Sequence, residues 1–300
     1  MKKFIFILAL TCVFMACSKD DDKTSTKPSN GSGVSEPDVF SVSENRKVYF
    51  SPGNLQYQPS TKTWRFAENQ YSYVGDEDNG NVYINSIKCK NNSISSSYQG
   101  WIDLFGWGTS GYNGKNPYMR STTDTDYGNG TANITDSNYD WGLYNGIFNP
   151  AAQSTDPAGT WRTLTSSEWR YLLSGRADAK KKCGLGCIDN SVNGLIILPD
   201  AWTLPEGYTF NNGYSAFNQN TYTAAQWKKM EANGAIFLPA GGYRAGSNAY
   251  RANQDGRYWA TTSVNQNVAY GVYFYENKLE SNNSFGRSNG ICVRLVRNKK

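Results

Sequence analysis

Gly256-Arg257-Tyr258-Trp259-Ala260-Thr261-Thr262-Ser263 leads, after a short polar turn, into Val268-Ala269-Tyr270-Gly271-Val272-Tyr273-Phe274-Tyr275. A polar stretch rich in Asn and Ser, Asn277 to Gly290, then separates these residues from Ile291-Cys292-Val293-Arg294-Leu295-Val296. Aromatic and β-branched residues in runs of this length, broken by Asn, Ser and Gly, predict three strands. Side chains alternate along a strand. Tyr270, Val272 and Phe274 therefore share one face, and Gly271, Tyr273 and Tyr275 share the other, which is expected to point outward. Trp259 is expected to be buried beneath that face.

Upstream, two helices are signalled by capping boxes, a hydroxyl at the N-cap with Glu or Gln three residues on. These are Thr165-Ser166-Ser167-Glu168, with Gly175 closing the helix, and Thr223-Ala224-Ala225-Gln226, with Gly234 as the stop. Each is followed by a buried-strand pattern ending in Leu-Pro: Gly194 to Pro199 and Gly234 to Pro239. Nearer the N-terminus, Arg46 to Phe50, Leu55 to Tyr57 and Thr63 to Phe66 flank turn signals and predict a β-meander. Between Asp76 and Gly146 the chain is dominated by Gly, Asn, Ser, Asp and Tyr. Trp101, Phe105, Trp107 and Trp141 are expected to pin these long loops from the core.

The 300 residues are 38% hydrophobic, 14% aromatic and only 18% charged, with 29 Gly. Such a chain buries a core, and its composition favours short strands and tight turns over a helical bundle. The first segment reads as a secretory leader: Lys2 and Lys3, an apolar run from Phe4 to Ala16, then a small residue before Cys17. Removal of residues 1–16 lowers the net charge from +5 to 5 − 2 = +3, which excludes the electrostatic footprint of a nucleic-acid binder. The chain contains no His. Ser-His and Cys-His catalysis are excluded with it, as is the commonest metal ligand. No catalytic residue, cofactor or metal site is expected. Asp124, Asp126, Asn129 and Asp136 only hint at a hard-cation loop, because the offsets are not those of an EF-hand. Cys183-Gly-Leu-Gly-Cys187 spans a short loop that a structural disulfide would close; a redox-active pair is the other reading, and zinc lacks further ligands. Arg257 and Arg294 flank the C-terminal stretch, and Arg294, between Val293 and Leu295, is expected to serve a structural salt bridge or backbone contact.

Phe14-Met15-Ala16-Cys17 resembles a bacterial lipobox, which implies cleavage before Cys17 and lipidation of its thiol. Ser18-Lys19-Asp20-Asp21-Asp22 is similar to the surface-export signal of Bacteroidota-type lipoproteins. The expected location is the outer membrane, lipid-anchored and facing the cell exterior. Residues 17–44 are rich in Ser, Thr, Pro, Gly and Asp and are read as a flexible tether, with residues 45–300 as one domain.

Tyr258-Trp259-Ala260-Thr261-Thr262 and the closing Gly290 to Val296 resemble the C-type-lectin-like fold in its formylglycine-generating-enzyme-like branch. Tyr49 to Tyr57, Trp64-Arg65-Phe66-Ala67 and Trp161 to Thr165 belong to the same pattern. The resemblance implies an α+β domain of short antiparallel strands, two helices and long loops. It implies ligand binding without catalysis, since that enzyme's cysteine pair has no counterpart near Cys292. Some members of the fold are variable proteins of diversity-generating retroelements, in which Asn, Tyr, Ser, Gly and Asp accumulate near the C-terminus. Between Tyr243 and Asn298 the chain has nine Asn and six Tyr. Diversification and a static lectin-like surface both account for that composition. The expected ligand-binding residues are Gly271, Tyr273, Tyr275, Asn248, Tyr250, Asn253, Asn265, Asn267, Asn282, Asn283 and Arg287, taking an extracellular protein or glycan. A structural adhesin or assembly subunit is the alternative, and a hydrolase stands behind it.

Overall fold

A computed structural model describes residues 38–73 and 94–300, together with two short strands between them. The leader, Cys17 and most of the expected tether lie outside the described residues. In chain order the first strands are β1 (Phe40–Ser43), β2 (Arg46–Phe50), β3 (Leu55–Gln58), β4 (Thr63–Phe66), β5 (Tyr83–Ile84) and β6 (Ile87–Lys88). A short helix α1 (Trp141–Tyr144) precedes β7 (Ile147–Asn149), β8 (Ser154–Asp156) and β9 (Arg162–Thr163). Helix α2 (Ser166–Arg170) leads through a π-turn at Tyr171–Gly175 towards β10 (Cys183–Ile188) and β11 (Val192–Ile197). Then come β12 (Thr221–Tyr222), α3 (Ala224–Ala232) and β13 (Ile236–Pro239). The C-terminal part holds β14 (Tyr243–Ala245), β15 (Asn248–Tyr250), β16 (Gly256–Ser263), β17 (Val268–Tyr275), β18 (Lys278–Gly286) and β19 (Leu295–Asn298). The class is α+β: several small, mostly antiparallel sheets with few helices. No helix among the described residues is long and apolar enough to cross a membrane.

Both capping boxes form as the sequence predicts. Thr165 accepts from the Glu168 N–H, and the Glu168 carboxylate returns the bond to Thr165. Thr223 and Gln226 do the same at α3. The two Leu-Pro strands become β11 and β13, and they pair with each other antiparallel from Gly194–Pro239 to Ile197–Ile236.

Sheet β16-β17-β18 organises the core because both of its faces are covered. Tyr258, Ala260, Val272 and Phe274 pack on one side with Trp169, Leu195, Leu238 and Cys292. Trp259, Ala269 and Phe285 pack on the other with Trp64, Phe105, Trp107 and Trp141. Trp259 is fully buried and donates its indole N–H to the Phe105 carbonyl at 2.7 Å. A third cluster lies under α3, around Trp227, Met230, Ile196 and Phe237.

Four expectations are corrected. The tether boundary at 44 is too late: β1 pairs with β2, and Phe40 and Val42 are core residues. The N-terminal strands are not one meander. The Ser51–Asn54 turn passes the chain from sheet β1-β2-β19-β9 to sheet β3-β4-β7-β8. The closing strand starts late, because Ile291 and Cys292 make isolated bridges to Phe105 and Tyr258, and Val293 spends its carbonyl on the Leu55 N–H. Finally, Cys183 and Cys187 are free, buried thiols. They sit four residues apart on the extended β10. That spacing is roughly 13 Å, far beyond what a disulfide bridges.

Candidate binding face

Five of the predicted residues move off the binding surface once placed in three dimensions. Arg287 is fully buried, stacked 4.2 Å from the centroid of the Trp107 ring. Its guanidinium donates to the carbonyls of Tyr127 at 3.3 Å and Gly130 at 2.6 Å and to the Ser263 hydroxyl at 2.5 Å. Burial draws its pKa down to about 10. It ties three loops together and reaches no ligand. Gly271 is buried as well: a Cβ there would sit 2.5 Å from the Tyr258 carbonyl oxygen. The outward reading fails here because the second face of β17 packs on a core of its own.

Asn253 is half-buried and locked by four bonds. It accepts from the Asn193 N–H at 2.7 Å and from the Asn193 amide at 2.9 Å. It donates to the Ser191 carbonyl at 2.8 Å and, from its own N–H, to the Ala240 carbonyl at 2.6 Å. Asn265 and Asn267 are exposed but form the β16–β17 turn, where Asn265 accepts from the N–H groups of Asn267 and Val268. Seven residues of strand separate Val268 from Tyr275, so that turn lies roughly 23 Å from the tyrosine end of the sheet.

The others stay together or near the surface. Tyr273 and Tyr275 are half-buried neighbours on one face of β17, with ring centroids 5.0 Å apart. Tyr250 on β15 stacks at 5.3 Å on Tyr243 of β14. Between the two pairs runs Arg257 of β16, 3.9 Å from the Tyr243 ring centroid and 5.0 Å from that of Tyr273. Lys278 continues the row 5.8 Å from the Tyr275 ring and pairs with Glu280 at 2.7 Å. Asn283 is half-buried and donates to Glu280. Asn282 is exposed where the β17–β18 register shifts, and Asn248 is half-buried on β15. The result is an alternation of rings and cations, Tyr250, Tyr243, Arg257, Tyr273, Tyr275 and Lys278, across two sheets.

A buried carboxylate fixes the centre of this row. Asp255 is fully buried and accepts from Arg251 at 2.7 Å and from Arg257 at 3.2 and 3.3 Å. The Tyr273 hydroxyl donates to the same group at 3.4 Å. Burial raises the Tyr273 pKa, with Asp255 adding to the rise and Arg257 opposing it. Sequence reading passes over Tyr243, Arg251 and Asp255. The Arg251/Asp255 spacing is a signal in the chain, and so is the pairing of Tyr243 and Tyr250 about a short turn; neither shows which carboxylate lies under the rings.

Rigid rings with a half-exposed face, interleaved with guanidinium and ammonium groups, suit binding. Burial pushes the Cys183 thiol up to about 11 and the Cys292 thiol well above its ordinary value, so neither is a nucleophile near neutral pH. Among the described residues no group of three or more His, Cys, Asp or Glu side chains converges on a metal-sized site. No family model matches the chain, and no curated protein or solved structure matches it significantly.

Proposed function

We propose that this chain is a surface-tethered lipoprotein, anchored in the outer membrane through Cys17, whose C-type-lectin-like domain binds an extracellular protein or glycan. The observation that carries the reading is the row Tyr250, Tyr243, Arg257, Tyr273 and Tyr275, half-exposed and held from below by Asp255. Tyrosine supplies rigid amphipathic area at low entropic cost, and Arg supplies directional bonds. The lectin-like assignment is supported by the α+β class and by the burial of Trp259 beneath the sheet.

Diversification by a retroelement and a static lectin-like surface are both readings of this Tyr- and Asn-rich region; Tyr258 is core and Asn277 occupies a left-handed turn, so diversification would fall on the other Tyr and Asn positions. A reverse transcriptase gene and a template repeat beside this gene support diversification; their absence rejects it.

Two experiments test the main reading. Intact-cell protease should shave the native protein, and Cys17→Ala should release it from membranes or leave it uncleaved; full protection until lysis rejects surface display. The purified protein should capture ligand from panels of extracellular glycans and surface proteins, and Tyr273→Ser with Tyr275→Ser should weaken that capture by about 2 kcal/mol. Unchanged capture with an intact melting transition rejects the face.

A further inference from the structure

We infer that the groove beside Tyr275 is a carboxylate-binding subsite that takes an acidic sugar, a hexuronate unit, with Arg251 as its anion anchor. The inference rests on the reading of the Tyr/Arg row as the ligand-binding face and narrows the ligand of that face.

The turn that carries Arg251 is strained. Arg251 has φ 57° and Asn253 φ 63°, a left-handed conformation that non-glycine residues adopt seldom and at a cost. The four bonds of Asn253 to Asn193, Ser191 and Ala240 over-determine it. Arg251 is thereby delivered in one place. Its Nε is held by Asp255, while its side chain remains 48% exposed.

One buried carboxylate serves two guanidiniums, and Arg257 is only 14% exposed between its rings. Of the two guanidiniums it is therefore Arg251 that reaches solvent. It lines a groove of about 310 Å³ together with Tyr275, Glu276, Asn193, Asn253 and Gln254, at the lower end of small-ligand sites. A guanidinium with one edge fixed offers its other edge to a carboxylate in fork geometry.

The remaining lining decides the class. The Tyr275 ring provides a flat apolar surface, and the exposed Gln254 amide lines the same groove, which suits a polyhydroxylated ring. An isolated aspartate or glutamate side chain would satisfy Arg251 and leave that ring and that amide uncovered. Glu276, whose carboxylate accepts from the Phe217 N–H at 3.5 Å, adds negative charge to the groove. It disfavours doubly charged phosphate and leaves a single carboxylate acceptable.

The test is calorimetric titration of the purified lipoprotein in detergent with tetragalacturonate and with its methyl ester, which keeps the sugar and removes the charge. The acid should bind about tenfold more tightly than the ester, the gain expected of a charge-assisted pair. Arg251→Gln should bring the acid down to the level of the ester and leave the ester unchanged; Tyr275→Ser should weaken both. Equal binding of acid and ester by the native protein overturns the carboxylate subsite and leaves the face standing. A preference that survives Arg251→Gln overturns Arg251 as the anchor. Failure of both sugars to bind overturns the sugar class; the face is then judged separately by whether the Tyr273/Tyr275 pair controls capture of a protein, and loss of that capture in Arg251→Gln would assign the groove to an acidic peptide.

Discussion

At the scale of single residues, arginines decide what the C-terminal region is. Arg244, Arg287 and Arg294 are all fully buried, and none forms an ion pair among the described residues; each spends its donors mainly on backbone carbonyls. Arg251 and Arg257 instead share the buried Asp255 carboxylate. A sequence shows five similar letters and cannot divide them. Arg287→Ala should therefore destabilise the fold rather than weaken a ligand, since it leaves the Tyr127 and Gly130 carbonyls and the Ser263 hydroxyl unpaired and uncovers Trp107. A loss of roughly 3 kcal/mol is expected, read from chemical denaturation. A stability unchanged within error would return Arg287 to the binding surface.

At the scale of elements, the two helix starts whose reciprocal caps close within three residues were legible in the sequence. These are the capping boxes at Thr165 and Thr223. Asp140 shows the contrary case. It caps α1 through the Gly142 N–H at 3.1 Å and also accepts from the Thr163 N–H at 2.9 Å, which pins β9. Burial raises its pKa to about 6, partly offset by these bonds, against roughly 4 in the unfolded chain. The folded protein thus holds a proton that the unfolded chain releases. This contribution is fully present below about pH 4 and is lost as pH rises through about 6, a span worth on the order of 3 kcal/mol. Asp140→Asn should cost stability at every pH and remove that slope; urea titrations of both proteins at several pH values between 4 and 7 measure the difference. An unaltered slope would show that Asp140 is not its source.

The cysteines belong to the same scale. Extended β10 keeps Cys183 and Cys187 apart, whereas a loop would have let them meet. Reductant should leave the melting temperature unchanged, and alkylation of the unfolded, unreduced protein should label both thiols. A mass showing them protected would restore the disulfide.

At the scale of the molecule, Glu36–Lys300 forms one unit in which the first strand and the last share a sheet through β2. β1 is therefore part of the domain rather than of its tether. A chain that starts at Arg46 loses the burial of Val39, Phe40 and Val42 and the Ser41–Asp200 hydrogen bond of 2.6 Å. Relative to a chain that starts at Asp38 it should be less stable by on the order of 4 kcal/mol, or fail to fold. Equal melting of the two would place the boundary near residue 44 after all.

The sequence by itself determined the two capped helices and the alternation that puts Val272 and Phe274 in a core. These follow from period and from bonds between near neighbours, which a linear string contains. Only the tertiary structure decided that the other face of β17 is also covered, that Gly271 and Arg287 are interior, and that Tyr243, Tyr250, Arg257, Tyr273 and Tyr275 form one row over Asp255. The physical reason is that alternation assigns a residue to a face but not what lies against that face. A second core, built from Trp107 and Phe105 more than 150 residues earlier in the chain, covers the side that the local pattern leaves open to solvent.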